Sequence, residues 1–338
     1  MLPSDETAAT LPAASSPLRP APIVNRDGDP VPARLRGAVA ALGNFDGIHQ
    51  GHRALIAAVR EEAAARGVAA TVLTFEPHPR EFFAPDRPMF RLTDEAAKLR
   101  VLDRLGVDGA FVRRFDAALA GTGAEGFVTG LLRGELGLSG VVIGHDFHFG
   151  RGREGTPEML RELCTRHGLA CRVVAAVAPG AGAAPVSSSA IRAALEAGDV
   201  AAANRLLGYR WFVTGAVRHG DKRGRTLGFP TANMALRACG LAHGIYAVRV
   251  RLADGTVRDG VASYGRRPTF DDGAPLLETF LFDFSGDLYG QEVGVEFVGW
   301  IRGEARFDSA EALVAQMHDD AARARRILAG DSTPSMLG

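Results

Sequence analysis

The chain has 338 residues, 46% of them hydrophobic and 23% charged, with 39 Lys and Arg against 39 Asp and Glu. That length favours two domains over one, and zero formal net charge removes any general pull toward nucleic acid or a membrane surface, so an anionic ligand must be held by local groups. Three cysteines, Cys164, Cys171 and Cys239, are too few and too irregularly spaced for a disulfide framework or a zinc site, and no apolar run reaches the roughly 18 residues of a membrane span.

Residues 1–32 are rich in Ala, Pro, Ser and Thr. They lack the basic start and apolar segment of a secretory signal and read as a disordered tail on a cytoplasmic protein. From Ala38 to about Val177, short apolar runs alternate with amphipathic stretches. Strands are predicted at Ala38–Leu42, Thr71–Phe75, Ala110–Arg114, Val141–Gly144 and Arg172–Val177, and helices at Arg53–Arg66, Asp94–Leu105, Ala124–Leu136 and Pro157–His167. This alternation predicts an α/β domain with a doubly wound parallel sheet, whose ligands bind beyond the carboxyl ends of the strands. The loops Gly43–His52, Glu76–Pro79 and Gly144–Gly150 all fall at such ends.

The first of these loops carries the sharpest signal. A glycine-rich turn between a strand and a helix start presents backbone N–H groups where the helix dipole is positive, and anions collect there. His49 and His52 face one side of the helix, one turn apart, and supply donors for charge developing on a phosphate. Gly51 leaves room for that phosphate at the first helical turn. Surface or capping histidines are the competing reading. A metal pair is another, but no Cys, Glu or third His stands nearby at metal-site spacing.

A Gly- and Ala-rich break at residues 179–185 precedes Ser187, Ser188 and Ser189 and a helix over Ala190–Ala197. Hydroxyls and N–H groups at a helix start, with Arg192 on the first turn, suit triphosphate oxygens, although a linker and a helix cap would explain the serines equally. A second short helix, Asp199–Leu207, ends near Gly208.

The periodicity then changes. Phe212–Val217, Gly244–Leu252, Val257–Tyr264, Leu276–Phe284 and Val293–Val298 read as strands, Ala253–Thr256 as a hairpin turn and Ser309–Leu328 as a closing helix. Consecutive strands predict a small antiparallel β-barrel with a C-terminal helix, followed by a disordered tail at 331–338. Within Gly220–Asn233, the basic residues Lys222, Arg223 and Arg225 are interrupted by Gly224 and Gly228, and Pro230-Thr231-Ala232-Asn233 follows. Thr231 and Asn233, two apart in an extended segment, point the same way and offer neutral oxygens to Mg²⁺. A polar turn competes for the tetrapeptide alone. Glu278 lies in an apolar strand, either on its solvent face or buried as a general base.

The motifs Gly43-x-Phe45-Asp46-Gly47-x-His49-x-Gly51-His52, Thr74-Phe75-x-Pro77-His78-Pro79, Gly144-x-Asp146-Phe147-x-Phe149-Gly150 and Ser188-Ser189-x-Ile191-Arg192 occur in that order. They resemble the adenylyltransferase module of the bacterial bifunctional riboflavin kinase/FAD synthetase family. The Gly220–Asn233 segment resembles the same family's kinase signature, with later landmarks at Gly244–Ala247, Gly265–Phe270, Glu278–Phe284, Asp287–Gly290 and Asp320–Arg325.

The resemblance implies a Rossmann-like FMN adenylyltransferase domain at 33–186, linker helices at 187–208 and a riboflavin kinase barrel at 209–330. It implies two successive reactions, riboflavin plus ATP to FMN, then FMN plus ATP to FAD and pyrophosphate, each with Mg²⁺. His49 and His52 would stabilise the α-phosphate, and Ser188, Ser189 and Arg192 would meet the pyrophosphate. Asp146 and Phe147 would lie near flavin and ribose. Thr231 and Asn233 would hold Mg²⁺ and ATP phosphates, and Glu278 would accept the riboflavin hydroxyl proton. Gly43, Phe45, Asp46, Gly47, Gly51, Lys222, Gly224, Gly228 and Arg325 complete the implied binding set.

Four positions depart from the family pattern: Ser189 for Thr, Ala190 for a basic residue, Ser263 for Asn and Phe280 for His. The partners implied are the small molecules riboflavin, FMN and ATP, without nucleic acid or membrane, and any self-association is expected to be weak. Three readings compete. They are a flavin or nucleotide sensor with inactive sites, a nucleotidyltransferase for a pantetheine or nicotinate derivative, and an oligonucleotide-binding barrel, which zero net charge and 7% aromatic content disfavour.

Overall fold

The computed structural model describes residues 20–87, 89–178, 180, 182, 184–220, 224, 227–236, 239–266 and 275–337. Six strands form the first sheet: β1 (Ile23–Arg26), β2 (Val39–Leu42), β3 (Ala70–Glu76), β4 (Gly109–Arg114), β5 (Gly140–Gly144) and β6 (Ala170–Val174). Their order is β1-β4-β3-β2-β5-β6, and every neighbouring pair is parallel. The central strand β2 is buried along its whole length, as a strand covered on both faces must be. Val39 and Ala41 join one apolar cluster while Ala40 and Leu42 join the other, on the opposite face.

The helices of this domain are α1 (Gln50–Arg66), α2 (Pro79–Phe83), α3 (Glu95–Arg104), α4 (Ala117–Ala120), α5 (Ala124–Gly126) and α6 (Pro157–Arg166). The helix expected over Ala124–Leu136 is α only for its first turn and continues as a π-helix, Phe127–Glu135. Glycines at 126, 130 and 134 weaken the α preference of this stretch. One apolar side still faces the core through Phe127, Val128, Leu131 and Leu132.

The tail expected at 1–32 is corrected from residue 23 onward, because Ile23–Arg26 pairs with β4 as an edge strand. Its buried Asn25 accepts from Arg113 Nη2 at 2.7 Å. A four-residue strand is too short to stand out against the composition around it.

Two helices, α7 (Ser188–Glu196) and α8 (Val200–Leu207), lead to the second sheet. Its strands are β7 (Phe212–Ala216), β8 (Thr231–Ala235), β9 (Gly244–Arg251), β10 (Val257–Arg266), β11 (Pro275–Leu281) and β12 (Glu292–Gly303). The order is β7-β12-β9-β10-β11-β8, antiparallel throughout. Arg218 N, just past β7, donates to Asn233 O of β8 at 2.8 Å and nearly closes the barrel. The last helix, α9 (Ala310–Ala329), covers one flank through Ala324 and Leu328 against Ala247, Val298 and Ile301.

One apolar cluster runs unbroken from the α1 face of the parallel sheet, through α7 and α8, to Tyr246 and Phe297 in the barrel. The expected tail at 331–338 also differs, since Met336 and Leu337 are buried and Asp331 pairs with Arg210 and Arg249. A few polar and apolar residues docking on a sheet leave no periodic trace.

Candidate functional site

The Gly43–His52 loop crosses from β2 to α1 through backbone that L residues rarely adopt. Phe45, Gly47 and Ile48 have φ of 50°, 82° and 35°, so the surrounding contacts must hold this conformation in place. A Cβ at position 47 would lie 2.7 Å from Leu92 Cδ1, which makes glycine obligatory there. Asp46 points inward. Its Oδ1 accepts from Leu92 N and Thr93 N, each at 3.0 Å, and its Oδ2 pairs with Arg192. Burial raises the Asp46 pKa, and the Arg192 guanidinium opposes that rise.

His49 caps α1, its Nδ1 accepting from His52 N at 3.4 Å. The two imidazoles stack with centroids 3.8 Å apart and planes 20° from parallel. Burial pushes His49 down to about 4, and the same cause, with His49 and Lys98 adding to it, holds His52 well below the ordinary histidine value. Both are therefore neutral at pH 7. His52 Nδ1 is buried and has no hydrogen-bond partner among the described residues, which marks it as a group that a ligand would satisfy.

A cavity of about 1140 Å³ opens over this pair. It brings together Gly43, Asp46, His49, Gly51, His52, Asp146, Phe147 and Ser188, and adds His78 and Phe115. It does not bring in Phe45, Gly47, Ser189 or Arg192. Phe45 is fully buried with its ring 5.1 Å from that of His52. Arg192 is committed to Asp46 and, through Nε, to Phe90 O at 2.6 Å. Ser187 Oγ caps α7, whereas Ser188 Oγ donates to Asp46 O at 2.8 Å.

Beneath the cavity lies a charge cluster that the sequence did not reveal. Glu76, at the carboxyl end of β3, accepts two bonds from Arg91 at 2.8 and 3.0 Å and one from Lys98 at 2.8 Å. Lys98 is 1% exposed and also reaches Thr74 Oγ1 at 3.2 Å. Burial opposes ionisation of Glu76, but Arg91 and Lys98 together hold its pKa below the usual carboxylate value. Burial, followed by Arg91, Lys98 and Arg192, pushes His78 down to about 4. Arg91 also donates to Glu81 at 3.0 Å, so the three cations Arg91, Lys98 and Arg192 are matched by the three carboxylates Asp46, Glu76 and Glu81. A single helical lysine reads as a solvated charge, and only the packing of α3 on β3 reveals otherwise. His78 did carry a signal, in the Pro77-His78-Pro79 motif.

In the barrel, Glu278 stands opposite Asn233 and Phe280 opposite Thr231 in the β11–β8 pairing. Directly opposed residues share a sheet face, so Thr231, Asn233 and Glu278 lie on one face of the sheet. Asn233 is buried, and its Nδ2 donates to Thr231 O at 3.3 Å. A Cβ at Gly220 would come within 2.5 Å of that nitrogen, and one at Gly224 within 2.2 Å of Phe229 O. These glycines let the backbone fold tightly against β8. Gly228, with φ of 83°, turns the chain back into it.

Phe280 packs its ring 4.9 Å from Phe229 and 5.9 Å from Phe282, so an aromatic cluster occupies the position where the resemblance implies a frequent His. Arg325 is not gathered with the three. It pairs with Asp283 at 3.0 Å and lies 4.1 Å over the Phe282 ring. Lys222, like Arg223, Arg225 and the Pro268-Thr269-Phe270 turn, lies outside the described residues.

Comparison with known proteins assigns a relative to each half. A family model described as FAD synthetase matches residues 31–190, and one described as riboflavin kinase matches residues 207–328. The unmatched interval between them spans most of α7 and α8. The bifunctional riboflavin kinase/FMN adenylyltransferase of Escherichia coli (strain K12) is 40% identical over 294 residues, 87% of this chain and 93% of the relative. The protein of that name from Bacillus subtilis (strain 168) is 36% identical over 296 residues, 86% and 92% of the two chains. A solved structure from Streptococcus pneumoniae, named a macrolide-efflux protein, superposes with TM-score 0.78 at 31% identity over 88% of this chain and 95% of its own. Among the described residues of this chain, no helix is long and apolar enough to cross a membrane.

Proposed function

The chain belongs to the bifunctional riboflavin kinase/FMN adenylyltransferase family, and from that premise we propose how its residues divide the two reactions. The enzyme phosphorylates riboflavin with ATP to give FMN, and it transfers AMP from a second ATP to FMN to give FAD and pyrophosphate. AMP transfer belongs to the cavity over His49 and His52, and phosphorylation to the face of β8 and β11.

In AMP transfer, an oxygen of the FMN phosphate attacks the α-phosphorus of ATP while the bond to the pyrophosphate oxygen breaks. Two neutral imidazoles meet the α-phosphate as N–H donors, and the buried Nδ1 of His52 gains a partner only when ligand arrives. Donors fixed before the reaction need no reorganisation as charge develops. Ser188 and the start of α7 receive the pyrophosphate, and Ser189, outside the cavity lining, reaches it only by a shift of α7. Arg192 reaches it only by leaving Asp46, and otherwise acts by bracing the loop. Phe147 and Asp146 line the flavin side of the cavity.

In phosphorylation, Glu278 accepts the proton of the riboflavin hydroxyl as its oxygen attacks the γ-phosphorus of ATP, while the bond from that phosphorus to the bridging oxygen breaks and ADP leaves. Positioning and charge neutralisation carry most of such a reaction. Among the described residues, no group of three His, Cys, Asp or Glu side chains could hold a metal by itself. The hydroxyl of Thr231 and the amide of Asn233 instead suit Mg²⁺ that arrives with the nucleotide and keeps phosphate and water ligands. That ion would neutralise charge on the β- and γ-phosphates. ATP supply and three free cysteines fit a cytoplasmic enzyme.

The observation that carries this reading is the stacked histidine pair in a cavity shared with Asp146, Phe147 and Ser188. The test is incubation with riboflavin, Mg²⁺ and ATP, with flavins separated over time. FMN should rise first and FAD follow. Absence of both products overturns the assignment, and FMN alone confines it to the barrel.

A further inference from the structure

The conformation of the histidine loop is fixed partly by residues that belong to the other domain. Gly47 O, between the left-handed residues Phe45 and Ile48, accepts from the phenol of Tyr209 at 2.6 Å, and Tyr209 is fully buried. Two residues on, Trp211 Nε1 donates to Leu92 O at 2.8 Å. Leu92 is the residue whose N–H binds Asp46 and whose side chain closes over Gly47. Gly208 O adds a third tie, accepting from Arg53 of α1 at 3.0 Å. All three ties come from residues 208–211, the junction between α8 and β7.

The same junction is anchored in the barrel. Trp211 O accepts from Phe297 N at 2.9 Å, and the two rings lie 5.1 Å apart. Asn204 of α8 spans both sides, donating to Phe297 O at 2.9 Å and accepting from Trp211 N at 2.8 Å. A continuous set of buried bonds thus joins β12 to the loop that carries His49 and His52.

We propose that Tyr209 and Trp211 are positioning residues for AMP transfer, so that the first residues of the kinase barrel complete the adenylyltransferase loop. Neither touches the cavity; each acts through the backbone of the loop or of its Leu92 clasp. The assignment rests on placing AMP transfer at the His49–His52 loop. A buried carbonyl that loses its only side-chain donor relaxes toward another partner, and the strained loop then leaves the geometry its donors need.

The test uses the full-length protein with Tyr209→Phe, which removes one oxygen and keeps the ring. FAD formation from supplied FMN should lose kcat by roughly tenfold, with KM for FMN and ATP within about twofold, because transition-state alignment is lost rather than binding. Riboflavin phosphorylation should stay at the parent rate. Trp211→Phe, which keeps an aromatic ring but loses the N–H, should show a smaller loss in the same direction.

A kcat for FAD formation within twofold of the parent in both variants overturns the proposal. An equal fall of both activities does so too, since it reports general destabilisation. His49→Ala is the control that separates the two assignments. If it leaves FAD formation intact, the loop itself is misassigned; if it abolishes FAD formation while Tyr209→Phe is silent, only the coupling fails.

Discussion

His49 and His52 stack face to face at 3.8 Å, an arrangement that two imidazolium ions would resist and two neutral rings accept. The unfolded chain protonates its histidines near pH 6.5, whereas burial holds His49 and His78 down to about 4 in the fold. Between those values the unfolded state binds more protons, so stability falls as pH drops from about 6.5 to about 4. For His49 alone the full shift corresponds to on the order of 3 kcal/mol. Denaturation midpoints at pH 7.5 and 4.5 should therefore differ, and His49→Gln should shrink the difference. An unchanged slope in that variant would show that folding leaves the His49 pKa at its unfolded value.

The two sites lie in separate sheets, so single substitutions should separate the activities. His49→Ala is expected to cut FAD formation from FMN by roughly 10²- to 10³-fold, the worth of a donor aimed at developing charge, and to spare FMN formation. Asn233→Ala should do the reverse when FMN is supplied. Chromatographic separation of riboflavin, FMN and FAD reads both. A variant that loses both phosphorylation of riboflavin and adenylylation of supplied FMN, while still unfolding at the parent temperature, would contradict the division.

Asp46 resembles a ligand-binding residue in the sequence but behaves as a clasp in the structure, holding Leu92, Thr93 and Arg192 to the loop. Asp46→Ala leaves a buried guanidinium and two N–H groups without their acceptor and should cost about 3–5 kcal/mol. Asp46→Asn keeps the acceptor oxygen and should cost about 1–3 kcal/mol. Urea unfolding of the two variants tests the order. Equal stabilities of the two variants would mean that the acceptor oxygen kept by Asn contributes nothing once the carboxylate charge is gone.

The features legible in the sequence were those with a period or a punctuated motif. Alternating apolar runs located β2 to β6, and the glycine-rich loops at their carboxyl ends located the cavity. Five of the six barrel strands and the closing helix were visible in the same way, whereas β8 (Thr231–Ala235) showed only as an extended segment within the Gly220–Asn233 motif. Missing were features defined only by what packs against them. Lys98 and Arg91 are ordinary helix and loop cations until α3 lies on β3 and delivers them to Glu76. Asp46 and Arg192 lie in separate motifs, 146 positions apart, and nothing local states that each is the other's partner. The β1 strand and the last seven described residues escaped because short segments that dock on a sheet edge or face need no repeating pattern.

The C-terminal segment supplies a last expectation. Asp331 Oδ2 accepts from Arg210 Nε at 2.7 Å and from Arg249 Nη1 at 2.8 Å, and Pro334 O accepts from Arg210 N at 3.0 Å. Ser335 pairs with the buried Glu296, and Leu337 fills the space above Gly294, where a Cβ would sit 2.5 Å from its Cδ1. These residues strap β7, β12 and β9 together beyond the end of α9. Asp331→Ala retains Glu296 and Asp259 as partners for the two arginines, so its cost should be about 1–2 kcal/mol. Ending the chain at Gly330 also exposes the apolar surface beneath Met336 and Leu337, each worth about 1.5–3 kcal/mol when fully buried, and should cost several times more. Thermal unfolding followed through riboflavin kinase activity should rank parent, Asp331→Ala and the truncated chain in that order. A truncated chain that keeps the parent midpoint would mean that the segment rests on the barrel without stabilising it.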